Sequence, residues 1–266
     1  MKSQEQGAVS HPSPERRRSR ASGGPTELGG CHVEAVGIPG SGKSTVLSAA
    51  IDALRESGVS VLSRKELEGL YPGRTLRQRA RRASSLPKIL ARQADFSRAV
   101  LRDALQVRPF DPVRLRRCHM LLQRRYAIYH TRPSSSVTVL DQGLLQDLTA
   151  VSLMGHSSSS HWTQSTVDLL FRDLEVLVLY FQTRIDTSMM RIRNRDGHTI
   201  FDRANPLDVR RILEATRLDI ESVVESVRSR AVVVNLDAGL PVPELANAVL
   251  DSVLRFLAGA HPGADK

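Results

Sequence analysis

Eight consecutive residues, Gly37-Ile38-Pro39-Gly40-Ser41-Gly42-Lys43-Ser44, combine the groups that binding of a polyphosphate requires. Glycines lacking a Cβ let successive backbone N–H groups turn inward and form a concave anion site. Lys43 adds a full positive charge. Ser44 offers a hydroxyl to a divalent cation, and Thr45 follows it. The pattern G-x-x-x-x-G-K-[ST] occurs once in the 266 residues. It works only where a strand leads in and a helix leads out, because the positive end of that helix must face the same phosphates.

Two further constellations suit the same chemistry. Asp141 ends the apolar run Val137–Leu140, where a carboxylate can hold Mg²⁺ directly or through water. An ordinary turn aspartate, or a cap for the next helix, is the competing reading. Arg191 and Arg195 stand four residues apart on one helical face. Guanidinium groups are permanently charged and shaped for bidentate contact with a phosphoryl group in transfer. The competing reading there is a solvated basic helix end. The stretch Gly155–His161 has two histidines flanking serines but no acidic or cysteine partner, and reads as a loop rather than a metal site.

The surrounding pattern supplies the elements these residues need. Cys31–Val36 reads as a strand, Lys43–Ser57 as a helix with apolar residues at helical spacing, and Val59–Leu62 as a second strand. This is a βαβ unit with the glycine-rich turn at its first corner. Residues 64–132 read as mainly helical, with helices over Leu86–Gln106 and Pro112–His130 separated by two proline breaks. Val137–Leu140 is a third strand, followed by helices over Leu144–Met154 and up to Asp173. Leu174–Phe181 is a near-continuous apolar run, as expected of a parallel strand buried on both faces. Asp186–Arg195 and Leu207–Val227 are helical, Ala231–Leu236 is a fifth strand, and Pro243–Leu257 closes the chain as a helix. Alternating strands and helices predict one α/β domain on a mainly parallel sheet.

Composition narrows the function. Residues 1–28 are rich in Ser, Pro, Gly and Arg, with little to bury, and read as a disordered basic tail. The folded domain is expected over 29–258, with frayed residues over 259–266. The net charge of +10 is concentrated in residues 64–132, which carry 18 basic and five acidic groups. Such a surface attracts phosphate-bearing ligands or nucleic acid, or is a solvated arginine-rich face. The cluster Arg74–Arg82 holds five arginines but no interleaved aromatic residue, so a nucleic-acid partner lacks support. No apolar run reaches the length of a membrane span, and there is no secretory h-region. Cys31 and Cys118 are too few for a disulfide framework and read as small core residues. A cytoplasmic protein is expected.

Three segments, GIPGSGKST, VLDQG and YFQTRIDTSMMRIRNR, resemble the nucleoside and nucleotide kinases of the P-loop class, especially thymidylate and deoxynucleoside kinases. The likeness covers roughly residues 31–257. It implies a P-loop NTPase-type three-layer sandwich with a five-stranded, mainly parallel sheet flanked by helices, and an arginine-bearing lid. It also implies Mg²⁺·ATP as phosphoryl donor, with GTP left open, and a nucleoside or nucleotide acceptor; a homodimer is compatible with it. By position, Gly37 to Thr45 bind the donor, Lys43 and Ser44 meet its phosphates and Mg²⁺, Asp141 is the motif carboxylate and second metal ligand, and Arg191 and Arg195 are the lid arginines. Glu66, soon after the second strand, is the expected base for the acceptor hydroxyl. Gln93 and Gln123 could read a base or sugar edge. The kinase pattern places Arg directly after the motif carboxylate, whereas this chain has Gln142. A neutral amide there also suits a neutral acceptor such as a sugar or an antibiotic. The alternative from another class is a nucleotide-switched ATPase that contacts nucleic acid or protein through the basic segment.

Overall fold

The computed structural model describes residues 31–69, 87, 89–107, 112–130, 136–153, 164–172, 174–195 and 205–259. The expected tail over 1–28, the cluster Arg74–Arg82, the loop Gly155–His161 and residues 260–266 lie outside them.

The strands are β1 (Cys31–Val36), β2 (Val61–Ser63), β3 (Val137–Leu140), β4 (Glu175–Gln182) and β5 (Val232–Asp237). The helices among the described residues are α1 (Lys43–Glu56), α2 (Arg64–Gly69), α3 (Ala94–Val107), α4 (Pro112–His130), α5 (Leu144–Leu153), α6 (Gln164–Leu170), α7 (Ile185–Arg193), α8 (Pro206–Val227) and α9 (Val242–Leu257). The five strands form one sheet in the order β2-β3-β1-β4-β5, and every pairing is parallel. β1 is central, with His32 beside Thr138 of β3 and Val176 of β4. In such a sheet the crevice at the strand C-termini, beside the central strand, is where ligands bind. Both the glycine-rich turn and Asp141 lie there. The chain has an α/β fold built on a wholly parallel five-stranded sheet.

Side chains of β1 alternate between two cores. Cys31, Val33 and Ala35 join Val46, Leu47, Ala50 and Leu54 of α1 and Leu245, Val249 and Val253 of α9. The spacing of those helical residues puts them on one stripe of each helix. On the opposite face, Val36 joins the core built with α4, α5, α6 and α8. The result is three layers, helices–sheet–helices. Arg125 ties the outer layer together. It is buried, donates to Gln93 Oε1 (2.8 Å) and to the carbonyls of Leu169 (2.7 Å) and Leu170 (3.1 Å), and lies over the rings of Phe96 and Tyr129. These contacts satisfy a buried charge that would otherwise be costly.

The second face of β1 carries His32 and Glu34, both with zero exposure. Glu34 accepts hydrogen bonds from the backbone N–H groups of Leu145 (2.6 Å) and Gln146 (3.3 Å), and its other oxygen lies 3.2 Å from His32 Nε2. A buried carboxylate thus serves the otherwise unpaired donors of the first turn of α5. The carboxylate fills the space beside Gly143, where a Cβ would come within 2.4 Å of Glu34 Cδ. The backbone bonds prevent Glu34 from swinging away. Gly143→Ala is therefore expected to destabilise the fold by about 1–3 kcal/mol, read as a lower midpoint in urea; a midpoint equal to the wild type would contradict this packing.

Candidate functional site

The glycine-rich turn closes on itself through a hydrogen bond from Ser41 N to Ile38 O (3.2 Å). Gly40 and Gly42 have φ of 80° and 87°, a left-handed conformation that favours glycine. A Cβ at Gly40 would also lie 2.6 Å from Ser188 O. α7 packs this closely because its Ser188 hydroxyl donates to Pro39 O. Arg191 completes the brace, donating to Ser41 O (3.4 Å) and to Ala238 O after β5 (3.0 Å). No side chain caps α1, and its first turn contains no acidic residue. The head of that helix therefore offers its N–H groups and positive dipole end toward the turn.

Lys43 is 7% exposed, and its ammonium donates to Gly37 O (2.6 Å), Ile38 O (3.1 Å) and Ser41 Oγ (3.1 Å). Burial pushes its pKa down to about 8; Asp141 opposes that shift and Arg195 adds to it. Ser44 donates to Asp141 Oδ2 at 2.6 Å across 97 residues of sequence. The head of α1 and the end of β3 thus meet at one hydroxyl–carboxylate pair. Two hard oxygen donors in contact suit Mg²⁺, which takes few protein ligands and fills its other positions with water and phosphate oxygens. No group of three or more His, Cys, Asp or Glu able to hold a metal occurs among the described residues.

Beside this pair stands Arg64, the first residue of α2. Its guanidinium lies 3.5 Å from Asp141 Oδ1 and donates to Gln142 Oε1 (2.7 Å) and Glu68 Oε1 (2.7 Å). Burial works against the Arg64 charge, but the Glu68 and Asp141 carboxylates outweigh it and raise its pKa. A cavity of about 230 Å³ opens here, lined by Ser44, Ser48, Asp52, Arg64, Lys65 and Asp141 among others. Arg124 of α4 reaches the same neighbourhood, donating to Gly143 O (3.2 Å) and Asp147 and lying 3.7 Å from Glu68. Sequence reasoning missed Arg64, Arg124, Asp147 and Glu34. Only the carboxylate interrupting the apolar strand Cys31–Val36 left a trace in the pattern.

The structure brings Gly37 to Ser44, Asp141 and Arg191 together. Thr45 is exposed on α1, and Arg195 is exposed just beyond α7 yet close enough to influence Lys43. Residues 196–204, where a lid would continue, lie outside the described residues. Glu66 is engaged by its neighbours. Its carboxylate accepts from Ser63 N (2.7 Å), Ser63 Oγ (2.6 Å) and Arg55 Nη2 (2.8 Å). Ser63 and Glu66 form a capping box at the start of α2. The Ser63 hydrogen bonds, together with Arg55, lower the Glu66 pKa against the effect of burial. All of these contacts are made at the start of α2 and to the neighbouring helix α1. Gln93 is buried and bonded to Leu122 O (3.1 Å) and Arg125. Gln123 is buried, with no partner for its Nε2 among the described residues.

No protein-family profile matches the chain, and no curated protein matches its sequence. Among solved structures, it is similar to deoxyadenosine kinase from M. mycoides with products dCMP and a flexible dCDP bound. That match has a TM-score of 0.49 at 14% identity, over 84% of this chain and 98% of that one. The same enzyme with bound dATP gives a TM-score of 0.48 at 13% identity, over 84% and 99%. No described helix is long and apolar enough to cross a membrane.

Asp147 provides a test of the charged cluster. Burial raises its pKa from the ordinary 3.8 to about 6; Arg124 opposes the rise and Glu34 adds to it. The fold thus favours the protonated acid. Its contribution to stability is full below about pH 4 and is lost as pH rises through about 6. The loss is expected to be on the order of 3 kcal/mol. In Asp147→Asn that part of the slope should vanish, as measured by denaturant midpoints across this window.

Proposed function

We propose that this protein is a Mg²⁺-dependent phosphotransferase that moves the γ-phosphoryl group of ATP to a small acceptor, a nucleoside or nucleotide in the first instance. The observation that carries this reading is the meeting of Ser44 and Asp141 at 2.6 Å beside the buried ammonium of Lys43. A phosphate cradle alone would serve binding. A hydroxyl and a carboxylate at its rim add a place for the metal that accompanies a nucleoside triphosphate.

Gly37 to Ser44 would hold the donor phosphates through main-chain N–H groups, with Lys43 beside the β and γ phosphates. Ser44 and Asp141 would hold Mg²⁺, which would neutralise phosphate charge when bound. Arg191 braces the turn from the side of β5, and Arg195 contributes positive potential. In the transfer, the bond from the γ-phosphorus to the bridging oxygen breaks and one to the acceptor oxygen forms. ADP leaves, and the acceptor's proton passes to water. Such a loose transition state asks more for positioning and charge than for a strong base, so the reading does not depend on Glu66 as base.

The test is incubation with γ-labelled ATP, Mg²⁺ and a panel of nucleosides, nucleotides, sugars and aminoglycosides. Label on a nucleoside or nucleotide is the expected result, and label on a sugar or aminoglycoside would move the acceptor class. Salt-sensitive binding to nucleic acid without any labelled product would favour the nucleotide-switched alternative. Lys43→Ala should abolish transfer, and undiminished transfer would remove the phosphate-site assignment.

The Lys43 pKa adds a second expectation. Only the ammonium form attracts phosphate, so nucleotide affinity should decline as pH rises through about 8. The decline approaches about tenfold per pH unit. Binding of a fluorescent ATP analogue across that range checks it, and Lys43→Met should flatten the curve.

A further inference from the structure

Arg64 is absorbed by none of the roles above, yet it touches the residue on which the metal reading turns. Its contacts are divided by function. Nη1 faces Asp141 Oδ1 at 3.5 Å while donating to Gln142 Oε1 at 2.7 Å, and Nε donates to Glu68 at 2.7 Å. The other Asp141 oxygen is the one that meets Ser44. The two carboxylate oxygens are thus held from opposite sides, one by the phosphate loop and one by α2.

Arg64 is also held firmly. It follows β2 directly, and the backbone of α2 is fixed by the Ser63–Glu66 capping box and by Arg55, which donates to both Glu66 oxygens at 2.8 Å. The guanidinium is planar, so bonds to Gln142 and Glu68 determine how it faces Asp141. Its side chain is only 30% exposed. Carboxylates that bind metals are generally held by such outer partners, whose loss costs about 10–100-fold in metal affinity or activity.

We propose that Arg64 is the positioning residue of the Mg²⁺·nucleotide site: a cation delivered by α2 and aimed by Gln142 and Glu68, which fixes Asp141 in the orientation that faces Ser44. This rests on the phosphotransferase reading of the site. It makes metal binding depend on a helix outside the phosphate loop and gives Gln142 a role as the clamp of that cation. Charge alone predicts the opposite sign. Removing a cation beside a metal carboxylate would strengthen metal binding, so the direction of the effect decides between orientation and repulsion.

The experiment measures Mn²⁺ binding by electron paramagnetic resonance in the presence of a non-hydrolysable ATP analogue, and separately analogue binding in chelator without metal. Arg64→Gln is expected to weaken Mn²⁺ binding about 10–100-fold while leaving metal-free analogue binding within about twofold of wild type. The Mg²⁺ concentration needed for half-maximal transfer should rise in parallel. Gln142→Arg placed in the Arg64→Gln chain returns a cation beside Asp141 from β3 and should recover most of the loss, which a merely structural role for Arg64 would not allow. Arg64→Lys, which keeps the charge without the fork, serves where Arg64→Gln fails to fold, and should fall between the two. Unchanged or tighter Mn²⁺ binding in the variants, with normal wild-type binding, would overturn the role of Arg64 alone. A wild-type chain that binds neither Mn²⁺ nor the analogue would overturn the phosphotransferase reading and this inference with it.

Discussion

The ammonium of Lys43 is held by three oxygens of its own loop, and none of them is a carboxylate. Two are backbone carbonyls and one is a hydroxyl. A buried cation served only by dipoles keeps its hydrogen bonds but not a neutralising charge, which is why burial lowers its pKa. Much of the local structure follows from keeping that group in place. Its partners Gly37 O and Ile38 O belong to the turn, so the turn must fold back over its own lysine. That path needs the left-handed conformations at Gly40 and Gly42. It also leaves Gly40 too close to Ser188 O for any side chain, which binds the turn to α7. The same positive centre is what an oligophosphate would neutralise.

A second constraint acts from beneath. Glu34 lies in the middle of the central strand with no exposure, a position usually filled by an aliphatic residue. It is tolerated because two N–H groups of α5 and His32 satisfy it. The cost of burying the carboxylate is offset by fixing where α5 begins, and hence the path of Asp141-Gln142-Gly143 just before it. The charges then continue outward from Asp147 and Arg124 to Glu68, Arg64 and Asp141. Each group in that series has an oppositely charged neighbour, so the cluster can lie partly buried without a stranded charge.

The order of elements was legible in the sequence because its signals are local and strong. The strand–turn–helix around Gly37 to Lys43 and the apolar run before Asp141 needed only periodicity and turn chemistry. Helix α4 falls on the expected Pro112–His130, where a proline starts it. Boundaries moved elsewhere: the second strand is Val61–Ser63 rather than Val59–Leu62, because Gly58 and the loop after it turn the chain first, and the helix expected over Leu86–Gln106 is broken by a turn at Gln93, so that α3 begins only at Ala94. The sheet is wholly parallel. Glu66 shows the limit of reading by position. A glutamate just after the second strand is compatible with a base or with a capping box, and its contacts with Ser63 three residues earlier and Arg55 on the neighbouring helix show the capping box. Arg64 and Arg124 were hidden for a different reason. In a segment with 18 basic groups nothing local marks the two that turn inward; long-range packing selects them.

That selection bears on the departure at Gln142. The resemblance to nucleoside and nucleotide kinases leads one to expect a cation directly after the carboxylate, and the sequence has a neutral amide. In space the cation is present: Arg64 lies against both Asp141 and Gln142, brought there by α2 rather than by the end of β3. An electrostatic field is set by where charges stand, whichever element supplies them, whereas the length and direction of the side chain depend on its origin. A guanidinium arriving from α2 approaches Asp141 from the edge strand of the sheet and is tied to Glu68 on its own helix. A positive charge thus stands near the Asp141 carboxylate with a different geometry. The altered geometry, rather than an absent charge, is what distinguishes this site from the sequence pattern it resembles.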